Sequence, residues 1–130
     1  MSFHRLATYS IDGKSRYGVV VDNGIVDLSA RYGKDYATLR EVIAAGALQK
    51  LADAAVHRAP DHALDAITWL PPIPAPEKII CIGVNYPDRN AEYKDGQDAP
   101  KYPSMFMRTP RSFVGHDTTL VRPHASQQID

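Results

Sequence analysis

The sequence predicts an α+β fold: a small N-terminal α+β domain, a β-meander plus helices, followed by the first part of a β-rich domain. Three observations carry this. Alternating, β-branched segments fill the first 28 residues and are cut by two tight-turn signals. Apolar residues then recur at helical spacing between residues 38 and 57. A proline tract at 71–76 separates these elements from a strand-rich remainder.

Arg5-Leu6-Ala7-Thr8-Tyr9 reads as a first strand and Asp12-Gly13-Lys14 as a hairpin turn. Arg16-Tyr17-Gly18-Val19-Val20-Val21 is a second strand, rich in β-branched residues. Asp22-Asn23-Gly24 supplies another turn, its Asn-Gly pair suited to positive φ, and Ile25-Val26-Asp27-Leu28 a third short strand. Thr38 with Glu41 three residues on forms a capping-box signal, which predicts helices over 38–45 and 47–57 separated by Gly46. Pro-Pro-Ile-Pro-Ala-Pro at 71–76 holds four prolines in six positions, excludes helix and central strand, and favours a stiff extended connector. The expected organisation is therefore an N-terminal domain over 1–70, a linker over 71–76, and the incomplete start of a second domain over 77–130. In that part Lys78–Ile82, Ser104–Arg108 and Thr119–Val121 read as strands, and Tyr86–Tyr93 as one or two helical turns.

Fifteen basic residues balance fifteen acidic ones among 130, for a formal net charge of zero. Nucleic-acid surfaces carry a basic excess, so neither nucleic acid nor an anionic membrane is expected as partner. No segment reads as a signal peptide or a membrane span. Cys81 is the single cysteine, which excludes an internal disulfide and fits a cytoplasmic location. It lies within an apolar strand and reads as packing rather than as a nucleophile. His4, His57, His62, His116 and His124 show no zinc-type helical spacing. His57 and His62 are expected near a helix end, and His116 in a solvated loop.

The informative stretch is Gly83-Val84-Asn85-Tyr86-Pro87-Asp88-Arg89-Asn90-Ala91-Glu92, at a strand-to-helix corner of the kind that often supports catalytic groups. Gly83 would let backbone approach a ligand closely. Arg89 and Glu92 share a face on a helix. Spacing alone makes them an exposed ion pair worth a few tenths of a kcal/mol.

The ordered set of motifs resembles the fumarylacetoacetate hydrolase superfamily, matching the N-terminal portion of a bacterial-type member. It comprises Arg5–Tyr9, Gly18–Val20, Val26–Leu28, the proline tract, Lys78–Tyr86, Pro103–Arg108 and Val121-Arg122-Pro123. The resemblance implies a corner motif G-x-N-Y-x-x-H-x-x-E whose His and Glu activate water or shuttle a proton. Gly83, Asn85, Tyr86 and Glu92 match, and Arg89 stands where the histidine belongs. Arginine stays protonated and is no general base near pH 7. Two consequences stay open: Glu92 acts as base with Arg89 orienting a carboxylate or stabilising an enolate, or the hydrolase activity is reduced or lost. The resemblance further places Arg108 at the family's substrate-contacting lysine, where a guanidinium clamps a carboxylate bidentately.

What the resemblance implies for the intact protein is a homodimeric hydrolase cleaving C–C bonds of a diketo acid or acylpyruvate through an enolate. It implies Mg²⁺ or Mn²⁺ as cofactor, with the metal ligands beyond the position of Asp130, so no metal ligand is expected in this chain. The 130 residues alone are expected to be inactive. The alternatives are an oxo-acid decarboxylase or hydratase/isomerase of the same family, and a non-catalytic fragment acting only through association.

Overall fold

The computed structural model describes residues 4–83, 88, 94, 96 and 101–127. The chain divides into two compact units, Met1–Pro74 with Val114–Asp130, and Ala75–Phe113.

The first unit is α+β. β1 (Arg5–Ile11), β2 (Lys14–Val21) and β3 (Gly24–Asp27) form an antiparallel meander. Asp12 and Gly13 turn the first corner at φ 51° and 70°, the two positive values a type I′ hairpin requires. The second corner departs from expectation, because neither Asn23 nor Gly24 takes positive φ. Gly24 is glycine for a different reason: a Cβ there would run into His62 O and lie 2.5 Å from Pro60 Cβ.

Leu28 does not extend β3. It opens α1 (Leu28–Tyr32), a short helix that spacing did not reveal. Asp27 is its N-cap, its Oδ1 accepting from Ala30 N at 2.8 Å. As the helix peels from the sheet, the Ser29 hydroxyl takes the vacated ladder position, accepting from Tyr17 N at 2.6 Å. α2 (Leu39–Ala44) begins as expected at Thr38, whose Oγ1 accepts from Glu41 N at 3.3 Å. Glu41 reaches back to Ala37 N at 2.6 Å. Gly46 at φ 64° and the bond from Ala47 N to Val42 O close the helix in a Schellman motif, and α3 (Leu48–Ala55) follows. Thr38→Ala is expected to cost about 1 kcal/mol, a drop of several degrees in Tm by thermal circular dichroism.

Two further strands are too short to show in the sequence. β4 (His62–Ala63) pairs with β3, and β5 (Thr68–Leu70) with β1, completing the order β4-β3-β2-β1-β5. His62 thus sits in an edge strand rather than near a helix end. One sheet face carries Tyr17, Val19 and Val26 and packs with Leu28 against Leu39, Val42, Leu51, Ala52 and Ala55, all buried. On the other face the sheet curls. The rings of Tyr9 in β1 and His62 in β4 meet edge-to-face at 6.0 Å, although three strand spacings of a flat sheet would span about 14 Å.

Inside this curl lies a polar cluster. Asp27, 2% exposed, accepts from Arg16 at 2.7 Å, and its backbone N–H donates to Asp61 Oδ2 at 2.7 Å. Arg31 grips Asp61 through two bonds of 2.6 and 3.0 Å. Burial and the Asp27 charge hold the Tyr9 phenol well above its ordinary range. Thr8 Oγ1 donates to Pro72 O at 2.6 Å, fixing the start of the proline tract to the sheet.

The second unit contains β6 (Ile79–Ile82) and β7 (Met105–Arg108), paired antiparallel as a two-stranded sheet. In the first unit Thr119–Val121, expected as a strand, takes no regular structure, and no strand among the described residues pairs with it. No helix among the described residues is long and apolar enough to cross a membrane.

Candidate active site

The β6–β7 register sorts the site residues onto faces. Ile79 lies opposite Arg108, Ile80 opposite Met107, Cys81 opposite Phe106 and Ile82 opposite Met105. Side chains alternate along a strand, so Ile79, Cys81, Phe106 and Arg108 share one face, and Ile80, Ile82, Met105 and Met107 the other. Gly83 continues the ladder with a bond from its N–H to Ser104 O at 2.7 Å, which places Gly83 and Ser104 on the Arg108 face.

Gly83 and Arg108 therefore face the same way from opposite ends of the pair, about 14 Å apart along the strand. The Arg108 guanidinium carbon lies 5.4 Å from the centroid of the ring of Phe106, two residues earlier on the same strand. A cation over an aromatic face is held in place without losing its hydrogen-bond donors, so it stays free to take a carboxylate. Arg108 is exposed. A side chain at Gly83 would meet the Ser104 hydroxyl, so the backbone there is closely approached by the Ser104 side chain. Cys81, on the same face, is half-buried between Ile79 and Gly83.

Asn85, Tyr86, Arg89 and Glu92 lie outside the described residues. Of the residues singled out in the sequence, the structure thus brings Gly83 and Arg108 onto one face and adds Ser104 and Phe106, which the strand pairing alone reveals. Sequence alternation within Ser104–Arg108 carried that signal, but only the β6 register makes it usable.

Among the described residues no three His, Cys, Asp or Glu side chains are grouped to hold a metal ion. Asp27, Asp61 and His62 lie close together, yet both carboxylates are already taken by Arg16 and Arg31. The described residues do not fit the Mg²⁺ that the family resemblance implies.

Residues 78–130 match the family described as fumarylacetoacetate (FAA) hydrolase, C-terminal. The chain is 34% identical over 119 residues to a mitochondrial oxaloacetate tautomerase of Xenopus laevis, covering 88% of this chain and 37% of that protein. It is 28% identical over 109 residues to a mitochondrial oxaloacetate tautomerase of Bos taurus, covering 82% and 34%. An uncharacterized protein of Archaeoglobus fulgidus is 37% identical over 67 residues, covering 52% and 26%. The chain spans only about a quarter to somewhat over a third of the length of these relatives. The similarity to the tautomerases runs from the N-terminal unit into the β6–β7 unit, and the family match begins at the first residue before β6. With its ordered motifs and its α+β architecture, the chain belongs to the fumarylacetoacetate hydrolase superfamily.

Proposed function

We propose that the intact protein is an enzyme of 2-oxo-acid enolate chemistry, acting as a keto–enol tautomerase on oxaloacetate or a close 2-oxo diacid. The observation that carries this reading is the placement of arginine at both 89 and 108, where the family resemblance expects histidine and lysine. Hydrolytic C–C cleavage needs a base that activates water, and arginine does not serve as one. Tautomerisation needs only a proton moved between C3 and the carbonyl oxygen, with the enolate stabilised between the two transfers. Glu92 removes the C3 proton and, as the carboxylic acid it becomes, returns that proton to the enolate oxygen, or the sequence reverses. Two guanidinium groups suit a substrate with two carboxylates, because each offers a bidentate clamp. Arg108 holds one carboxylate, and Arg89 holds the other or faces the developing enolate. The family resemblance makes Gly83, Asn85 and Tyr86 substrate-binding residues. The names of the animal relatives support the same reaction class.

The family's hydrolase chemistry on an acylpyruvate is the second reading, favoured by the retained Glu92. The two separate in one assay. The decay of enol-oxaloacetate absorbance with purified intact protein, above the spontaneous and buffer-catalysed rates, supports the tautomerase. Cleavage of an acylpyruvate with no effect on enol decay overturns it.

Arg108 has its own expected outcome. Arg108→Lys keeps the charge and loses the second hydrogen bond, so KM rises modestly. Arg108→Ala loses a charge-assisted bond worth about 1.5–3 kcal/mol, a rise in KM of about 10- to 100-fold with a smaller change in kcat. An unchanged KM in Arg108→Ala, from steady-state kinetics, removes Arg108 from the substrate site.

A further inference from the structure

The chain leaves the first unit at Pro74 and returns to it at Val114. Where it returns, it touches one edge of the five-stranded sheet. The hydrogen-bond alternation of that sheet identifies which groups are touched. The two-residue turn makes Ile11–Lys14 the closing bonded pair of the β1–β2 hairpin, so Tyr9, two residues on, also spends its N–H and C=O on β2. Trp69 lies opposite Tyr9 on the other side of β1. It therefore has no bond to make there, and its own N–H and C=O point outward from the sheet edge.

Gly115 sits against that outward carbonyl. A Cβ at Gly115 would collide with Trp69 O and lie 3.0 Å from Leu70 Cα. His116 packs its ring edge-to-face on the Trp69 indole, centroids 6.3 Å apart. Asp117 at φ 58° and the bond from Thr118 N to Gly115 O at 3.2 Å close a tight turn behind the contact. Outward N–H and C=O groups on an edge strand are a template for pairing with another chain, and covering the edge is one way proteins suppress it. The opposite edge, β4, is only two residues long and is blunted by that shortness.

We propose that residues 114–118 are an edge guard: a strap, seated through Gly115 on the Trp69 carbonyl, that keeps a second copy of this chain from adding its own β5 to the sheet. A second copy is the occupant the edge fits. Thr68-Trp69-Leu70 favours extended structure and is ended by Pro71, so the exposed run matches in length the same run of a second copy.

The test uses the 130-residue chain, whose single tryptophan is Trp69 itself. Gly115→Val is expected to shift Trp69 emission to the red and raise its quenching by acrylamide. Sedimentation velocity is expected to show association beyond that of the wild type at equal concentration. Adding Thr68→Lys, a charge on the exposed edge strand, is expected to abolish the extra association and leave the emission change. Unchanged quenching in a folded Gly115→Val protein overturns the seat. Greater quenching without extra association overturns the guard. Should valine unfold the unit by circular dichroism, Gly115→Ala places one methyl against the same carbonyl and is read by the same two measurements.

Discussion

Arg89→Ala in the intact protein is expected to lower kcat/KM on a 2-oxo diacid by about 10²–10³, the usual loss when one preorganised donor to a developing anion is removed. Glu92→Gln is expected to cost about 10²–10⁴, because it removes the carboxylate proposed to take the proton. The informative variant is Arg89→His. A tautomerase that uses Arg89 as a fixed cation loses most of its rate with histidine, which is largely neutral at pH 7.5, and regains part of it as pH falls toward 6. A hydrolase disabled by its arginine does the opposite: no acylpyruvate cleavage in the wild type and recovery in Arg89→His. Were Arg89 only the exposed partner of Glu92, the pair would contribute a fraction of a kcal/mol, and wild type, Arg89→Ala and Arg89→His would share one kcat/KM. Equal values for an active wild type and Arg89→Ala remove the arginine from the mechanism.

The elements that the sequence revealed are those specified by local chemistry. Asp12-Gly13 forms the expected turn because its conformation demands positive φ. Thr38 and Glu41 cap α2 because a side chain three residues away suffices. α1 escaped notice because it is little more than one turn, held by the Asp27 cap and by Ser29 bonding across to Tyr17. β4 and β5 were invisible for a related reason: two and three residues carry no period, and only β3 and β1 make them strands. The polar cluster of the first unit was unreadable because its bonded partners lie up to 35 positions apart. In the second unit, family-type motifs pointed to Gly83 and Arg108, while the role of Phe106 in holding the guanidinium emerges only from the strand pairing. One face of that pair is wholly apolar, with Ile80, Ile82, Met105 and Met107 about half or more exposed.

The largest effect on stability is expected at Asp27. Its carboxylate is 2% exposed, caps α1, and bonds Arg16, while its backbone N–H ties in Asp61. Asp27→Ala leaves Arg16 without its carboxylate and the Ala30 N–H without its acceptor. Breaking one side of a buried pair costs about 3–5 kcal/mol, a large share of the 5–15 kcal/mol that typically holds a domain together. Asp27→Asn keeps the cap acceptor and is expected to cost less. Urea midpoints at constant slope measure both, and a loss under about 1 kcal/mol for Asp27→Ala would mean that the cluster contributes little. The neighbouring Asp61 adds a pH signature. The Arg31 hydrogen bonds, with the Asp27 N–H, hold its carboxyl below the usual range against an opposing effect of burial. A folded-state value below the unfolded one means that the stabilisation is complete above the unfolded pKa, near 4, and is lost as pH falls through the folded value. Asp61→Asn should therefore flatten the acid limb of stability below pH 4 and leave its slope near neutrality unchanged. Because Asp61 is about one-third exposed, the flattening is modest and shrinks with added salt. An acid limb as steep in Asp61→Asn as in the wild type would assign that slope to other carboxylates.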